Sequence, residues 1–226
     1  MSLVNVMNLN VSGDVMLTAG QFITSGITTI NMTGGNWINN GGTFTPGGST
    51  VVFSGTQNQE IAGSTNAEQL FANITMNKAS GSLSFAENKK INVAGNLSLS
   101  QGTFVPATGT TVAFDKSGNQ NVPAADYYHL KLSKGGTKTL ADNTAVAGDL
   151  LVDNSVAATT VVPGARIKFN GNSAQAIAGL SFRSIEMSGN GNKSFTGNSS
   201  INGAMTFNGG TGTVDLDGAS NDKLFT

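Results

Sequence analysis

Apolar and polar residues alternate along this chain in short runs. In Asn73-Ile74-Thr75-Met76, His129-Leu130-Lys131-Leu132 and Ser184-Ile185-Glu186-Met187 every second residue is apolar, the signature of a half-buried strand. The alternation predicts that Ile74, Met76, Leu130, Leu132, Ile185 and Met187 point inward. Asn73, Thr75, His129, Lys131, Ser184 and Glu186 are then expected to face water. No window of about 11 residues sustains a 3.6-residue apolar period, so long helices are not expected. Gly34-Gly35, Gly47-Gly48 and Gly189-Asn190-Gly191-Asn192 separate the runs and read as corners where positive φ is needed.

The runs repeat. Leu9-Asn10-Val11-Ser12-Gly13-Asp14-Val15-Met16-Leu17 lies over Ile91-Asn92-Val93-Ala94-Gly95-Asn96-Leu97-Ser98-Leu99 at an offset of 82, which continues through Gly20-Gln21-Phe22 over Gly102-Thr103-Phe104. A longer unit recurs three times: Phe53 leads to Ile61, Phe114 to Val122 and Phe169 to Ile177, eight residues on each time. Its period is about 55 residues, the kind of self-similarity that marks solenoids and arrays. A shorter spacing of 21 to 22 carries Gly20-Gln21-Phe22 to Gly42-Thr43-Phe44 and Met32 to Phe53. Insertions in steps of one coil suit a solenoid, because each coil touches only its neighbours.

The expected fold is therefore all-β, a single-chain β-solenoid (parallel β-helix) of roughly eleven coils, at about 20 residues per coil. The alternative is a pair of tandem β-sandwiches, which would also show turns every 8–12 residues. One continuous domain over residues 1–226 is expected, with long repeats near 53–113, 114–168 and 169–215 and a fourth started at 216. Thr213-Val214-Asp215-Leu216-Asp217-Gly218 aligns with Thr111-Val112-Ala113-Phe114-Asp115-Lys116, and Leu224 repeats the eight-residue spacing. The chain reads as cut at both ends. Met1-Ser2-Leu3-Val4-Asn5 has neither the charged nor the apolar region of a signal peptide.

Composition narrows the class. Charged residues make up 11% and apolar ones 38%, with 30 Gly, so a core exists but is built from isolated apolar positions. A net charge of −1 gives no global field for nucleic acid or an anionic membrane. No Lys or Arg precedes Lys78, and the later ones are expected to form a mildly basic solvated face. The absence of Cys excludes disulfides and thiolate metal sites. No apolar run approaches the roughly 20 residues that span a bilayer, so no membrane insertion of this segment is expected.

Gly42-Thr43-Phe44-Thr45-Pro46-Gly47, Val52-Phe53-Ser54-Gly55, Phe71-Ala72-Asn73-Ile74-Thr75-Met76 and Val93-Ala94-Gly95-Asn96-Leu97-Ser98-Leu99 carry a resemblance over essentially the whole chain. They resemble the tandem repeats of very large cell-surface proteins of Bacteroidetes-type bacteria, related in style to haemagglutinin and autotransporter β-helices. The resemblance implies secretion, tandem arrays and adhesion or display. It brings no catalytic residues.

Glycoside hydrolysis needs two carboxyl groups across one bond, whereas Asp14, Glu60, Glu68, Glu87, Asp115, Asp126, Asp142, Asp149, Asp153 and Glu186 stand isolated in sequence. Asp115 and Asp217 occupy equivalent repeat positions, which accounts for them without catalysis. His129 alone makes neither triad nor metal site and reads as a surface histidine. Asp215-Leu216-Asp217-Gly218-Ala219-Ser220-Asn221-Asp222 superficially suggests calcium but lacks EF-hand and nonapeptide spacing. Phe53, Phe114 and Phe169 read as a stacked core, and Trp37 as core filling rather than a glycan platform. No catalytic, cofactor or metal residues are expected, and no enzyme.

The expected role is a structural stalk or display segment of an extracellular or cell-surface bacterial adhesin. Its expected partners are surface glycans or a host or neighbour-cell surface, neighbouring repeats of the parent chain, and other copies by end-to-end association through bare strand edges. The alternatives are a glycan-binding module, an ice-binding face and a phage tail-fibre shaft. Thr43/Thr45 and Thr211/Thr213 are the rows an ice face would need, and they do not recur coil after coil.

Overall fold

The computed structural model describes residues 2–3, 8–24, 28–64, 68–153, 156, 158–161 and 165–215. The chain is an all-β solenoid of about nine turns built from parallel stacked strands, with no helix among the described residues. Coils of the first unit run longer than the roughly 20 residues the sequence suggested. Cross-coil bonds span 21 residues at Asn31 to Asn10 and 24 at Glu60 to Asn36. Two compact units, Met1–Asp115 and Lys116–Thr226, are each described by themselves.

In the first unit each coil passes through three faces. The first stacks Asn8–Val11, Thr29–Met32, Thr50–Phe53 and the start of Asn73–Phe85. Val15–Leu17, Trp37–Asn39, Gln59–Ala62 and the end of Asn73–Phe85 form the second. The third is made in two pieces, Ser2–Leu3 with Gln21–Thr24 and Thr43–Thr45, then Glu68–Phe71 with Lys90–Val93 and Thr111–Phe114. Alternation sets the core. Ile30, Met32, Val51, Phe53, Ile74 and Met76 are all buried, and the residues between them, Asn31, Val52 and Thr75, are half-buried.

The second unit repeats the plan. His129–Leu132, Leu150–Val152, Gln175–Ile177 and Lys193–Phe195 form one ladder. Asp126–Tyr127, Ala145–Val146, Arg166–Phe169, Ser184–Met187 and Met205–Phe207 form another. Gln120–Val122, Thr137–Leu140 and Ala158–Val161 make the third.

The 21-residue spacing is one coil of the first unit: Asn8 faces Thr29, which faces Thr50. The long repeat is not a whole number of coils. Phe53 sits on the first face and Phe114 on the third, so one long repeat carries the motif round to another face. Phe53, Phe114 and Phe169 are all fully buried, as expected of core residues, but Phe53 and Phe114 do not form one column.

Glycines serve two purposes here. Gly47 and Gly189 hold φ of 52° and 76°, as the corner reading required. Gly34, Gly35 and Gly191 do not adopt positive φ, and their constraint is close approach of backbones. A Cβ at Gly191 would fall 1.7 Å from the Ser173 carbonyl oxygen.

Polar corners hold successive coils together. Asp14 Oδ1 accepts from the Asn36 N–H at 2.7 Å, and Asn36 Oδ1 accepts from the Glu60 N–H at 2.9 Å. Asn119 serves Thr137, Asn172 serves Asn190, and Asn190 serves Thr211 in the same way. A parallel coil leaves corner N–H groups without ladder partners, and a short Asx side chain one coil earlier reaches them. The same geometry gives Asn40, Asn58, Asn73 and Asn192 their place at corners.

Candidate functional site

The most elaborate polar assembly is internal and occurs three times. Gln59, Gln120 and Gln175 each stand six residues after Phe53, Phe114 and Phe169 and two before the buried Ile61, Val122 and Ile177. Parity along the strand points each glutamine inward. Lys78, Lys138 and Lys193 accompany them, with relative exposures of 1%, 0% and 2%. In the second unit glutamine and lysine are direct register partners, Gln120 with Lys138 and Gln175 with Lys193.

Around Gln59 the bonds reach across three coils. Its Oε1 accepts from the Gly55 N–H at 3.1 Å, and its Nε2 donates to the carbonyls of Met32 at 3.1 Å and Gly35 at 2.8 Å. Lys78 Nζ donates to Gly55 O at 2.7 Å and to Gln59 Oε1 at 2.6 Å. Lys138 Nζ donates to the Lys116 and Gly118 carbonyls and to Gln120 Oε1. Lys193 Nζ instead donates to two carbonyls, Gly171 at 2.8 Å and Gly191 at 2.6 Å, while Gln175 Nε2 donates to Val146 O at 2.7 Å. An ammonium group has three donors and tolerates burial only when acceptors meet them. Corner carbonyls that point into the coil supply those acceptors.

These lysines correct the expectation that the basic residues form a solvated face. Strand parity turned three of them inward, and carbonyls at the Gly-containing corners received them. A signal was present in the sequence, since Gln59, Gln120 and Gln175 hold the same place in every long repeat.

The clamps predict a pH dependence. Burial lowers the pKa of Lys78 and Lys193 from its ordinary 10.5 by desolvating the ammonium. Between the lowered values and 10.5 the unfolded chain binds more protons than the folded one, so stability rises with pH across that window. Tyr127 acts in the opposite sense. Burial raises its pKa well above 10.0, so stability contributed by the neutral phenol is lost as pH climbs beyond 10.0. Unfolding midpoints measured against pH are expected to rise toward this range and then turn over. Lys78→Met should flatten the rise, and Tyr127→Phe should soften the fall.

His129 is half-buried: its Nδ1 accepts from the Asp149 N–H at 2.8 Å, and its ring meets Tyr128 edge-on at 4.7 Å. It is a cross-coil bond as well as a surface group. Glu186 keeps its outward parity but is only 9% exposed, which corrects the expectation that it faces water. Arg166 Nη1 pairs with its Oε2 at 3.1 Å and Asn208 Nδ2 donates to its Oε1 at 3.2 Å, and these neighbours cover it. Asp142 Oδ1 accepts from the Arg166 N–H and Asp149 Oδ1 from the Ala176 N–H, both at 2.8 Å, so these acids cap corners.

Trp37 is fully buried among Phe22, Phe44 and Phe71, in agreement with its core reading. Thr43 and Thr45 are exposed, as are Thr211 and Thr213. Of the acidic stretch 215–222 only Asp215 lies among the described residues; Asp217, Leu224 and the fourth repeat lie outside them. Among the described residues no group of three or more His, Cys, Asp or Glu side chains is placed to hold a metal ion, and no helix is long and apolar enough to cross a membrane. Comparison of the chain with protein-family models, with curated proteins and with solved structures found no match.

Proposed function

We propose that this chain is a non-catalytic structural repeat segment of a secreted or cell-surface bacterial adhesin, acting as a stalk or display surface. The observation that carries this reading is the threefold recurrence of a buried Gln beside a buried Lys. The two are bonded to each other at Gln59–Lys78 and Gln120–Lys138, and both are bonded to Gly171 at Gln175 and Lys193. Buried polar groups usually mark chemistry when they break a structural pattern. Here they recur with the long repeat, and their bonds join one coil to the next. Asp14, Asp142 and Asp149 are likewise spent on corner N–H groups. Polar side chains used this way favour a spacer whose length follows from its number of coils. The resemblance of the repeats to large surface proteins agrees with this reading.

The test is immunolabelling of intact, unpermeabilised cells that make the parent protein. Label on the cell surface or in the medium is expected. Label that appears only after lysis would remove the adhesin reading.

A further inference from the structure

The third face of the first unit has a seam. Thr43–Thr45 ladders to Gln21–Thr24 and Glu68–Phe71 ladders to Lys90–Val93, but among the described residues no ladder joins Thr43–Thr45 to Glu68–Phe71. Parallel strands present alternate residues to each neighbour. The Thr43 N–H donates to Gly20 O at 2.9 Å, which turns the backbone groups of Phe44 toward the seam. Ala94 N–H donates to Phe71 O at 2.9 Å, which turns those of Leu70 toward it from the other side.

A cavity of about 440 Å³ opens along this seam, within the range of small-molecule sites. Gln69 lines it. This side chain is 4% exposed, and neither its Nε2 nor its Oε1 has a hydrogen-bond partner among the described residues. Its register partner is Ile91, whose own partner is Val112, and both are fully buried. An amide therefore stands in an apolar column. A buried amide without partners is costly, and one that breaks the local rule marks a place with another use. A spacer needs no such pocket.

We infer that the seam binds a small uncharged sugar bearing an acetamido group. The Gln69 carboxamide offers a donor and an acceptor side by side, and a secondary amide returns both at once. A carboxylate would meet Glu68 at the same cavity, with no Lys or Arg lining it to compensate. Thr43, Thr45 and Glu68 offer hydroxyl and carboxylate partners for ring hydroxyls at the mouth, and the partly exposed Leu70 offers an apolar contact for the acetyl methyl. An inserted peptide strand is disfavoured. Several Cα pairs across the seam lie within 8 Å, whereas a strand between them would hold them about 10 Å apart.

Trp37, the only tryptophan, lines the same cavity and reports on it. Titration of the whole chain with N-acetylglucosamine is expected to change Trp37 emission saturably. Glucose should bind at least about tenfold more weakly, and Gln69→Ile should weaken N-acetylglucosamine binding by at least about tenfold while cooperative unfolding is retained. The comparison of the two sugars on the parent chain stands even if the variant fails to fold. No saturable response to N-acetylglucosamine, or equal binding of glucose, would overturn the inference. A response to N-acetylalanine methylamide as strong as that to the sugar would overturn it in favour of a peptide amide.

Discussion

Gln59→Ala is expected to cost about 4 kcal/mol of unfolding free energy. The side chain is buried, and its two amide atoms engage Met32 O, Gly35 O, the Gly55 N–H and the Lys78 ammonium. Truncation strands Gly35 O and the Gly55 N–H. It takes one partner each from Met32 O, which keeps the Ser54 N–H, and from the Lys78 ammonium, which keeps Gly55 O. Each buried group left without a partner costs about 1–3 kcal/mol, and partial relaxation keeps the sum below the arithmetic total. Lys78→Met should cost less, about 2 kcal/mol, because it leaves Gly55 O short of one donor but introduces no unpaired charge. The double variant Gln59→Ala/Lys78→Met should fall short of the sum of the two, since the ammonium that loses a partner in the first is removed by the second. Urea unfolding of the four proteins checks this. Additive effects, or a Gln59→Ala cost under about 1 kcal/mol, would show that the clamp does not hold the coils.

Trp37→Ala is expected to cost a similar amount, about 3–5 kcal/mol. The indole is fully buried, and its ring lies 4.7 Å from Phe44 and 5.3 Å from Phe71, centroid to centroid. These residues belong to successive coils, so the cluster joins coils where the third-face ladder is interrupted. Aromatic packing there does what hydrogen bonds do elsewhere in the stack. Trp37→Phe should retain most of the packing and lose about 1–2 kcal/mol, because the void left is smaller. Thermal and urea unfolding of both variants distinguish this from a peripheral role, in which the two substitutions would cost the same.

Strand parity was fully legible in the sequence. Ile74, Met76, Leu130, Leu132, Ile185 and Met187 are buried as the alternation required, because period two follows from the pleat alone. The one-coil spacing was legible too, since stacked coils place Met32 over Phe53 in register. What parity could not give was the fate of a charged residue on an inward position. Lys138 and Lys193 obey the alternation of their strands, and only the corner carbonyls of the folded chain make that tolerable. Glu186 departs from its expected exposure for a related reason, because its cover comes from Arg166 and Asn208 on neighbouring coils. The seam was invisible in the sequence. Its evidence is an absent ladder and one amide in a column of aliphatic residues, and both depend on knowing which strands stack.

The most direct test of the solenoid account is insertion of a second copy of residues 29–49 after Ser49, one whole coil by the register of Thr29 on Thr50. The inserted coil offers each neighbour the surface it already meets, so the protein should still unfold cooperatively, at a temperature no lower than the parent. Insertion of a second copy of residues 29–38 alone should destroy that register and lower the midpoint sharply. If the whole-coil insertion proves as damaging as the partial one, the coil is not the unit of this fold and the account fails.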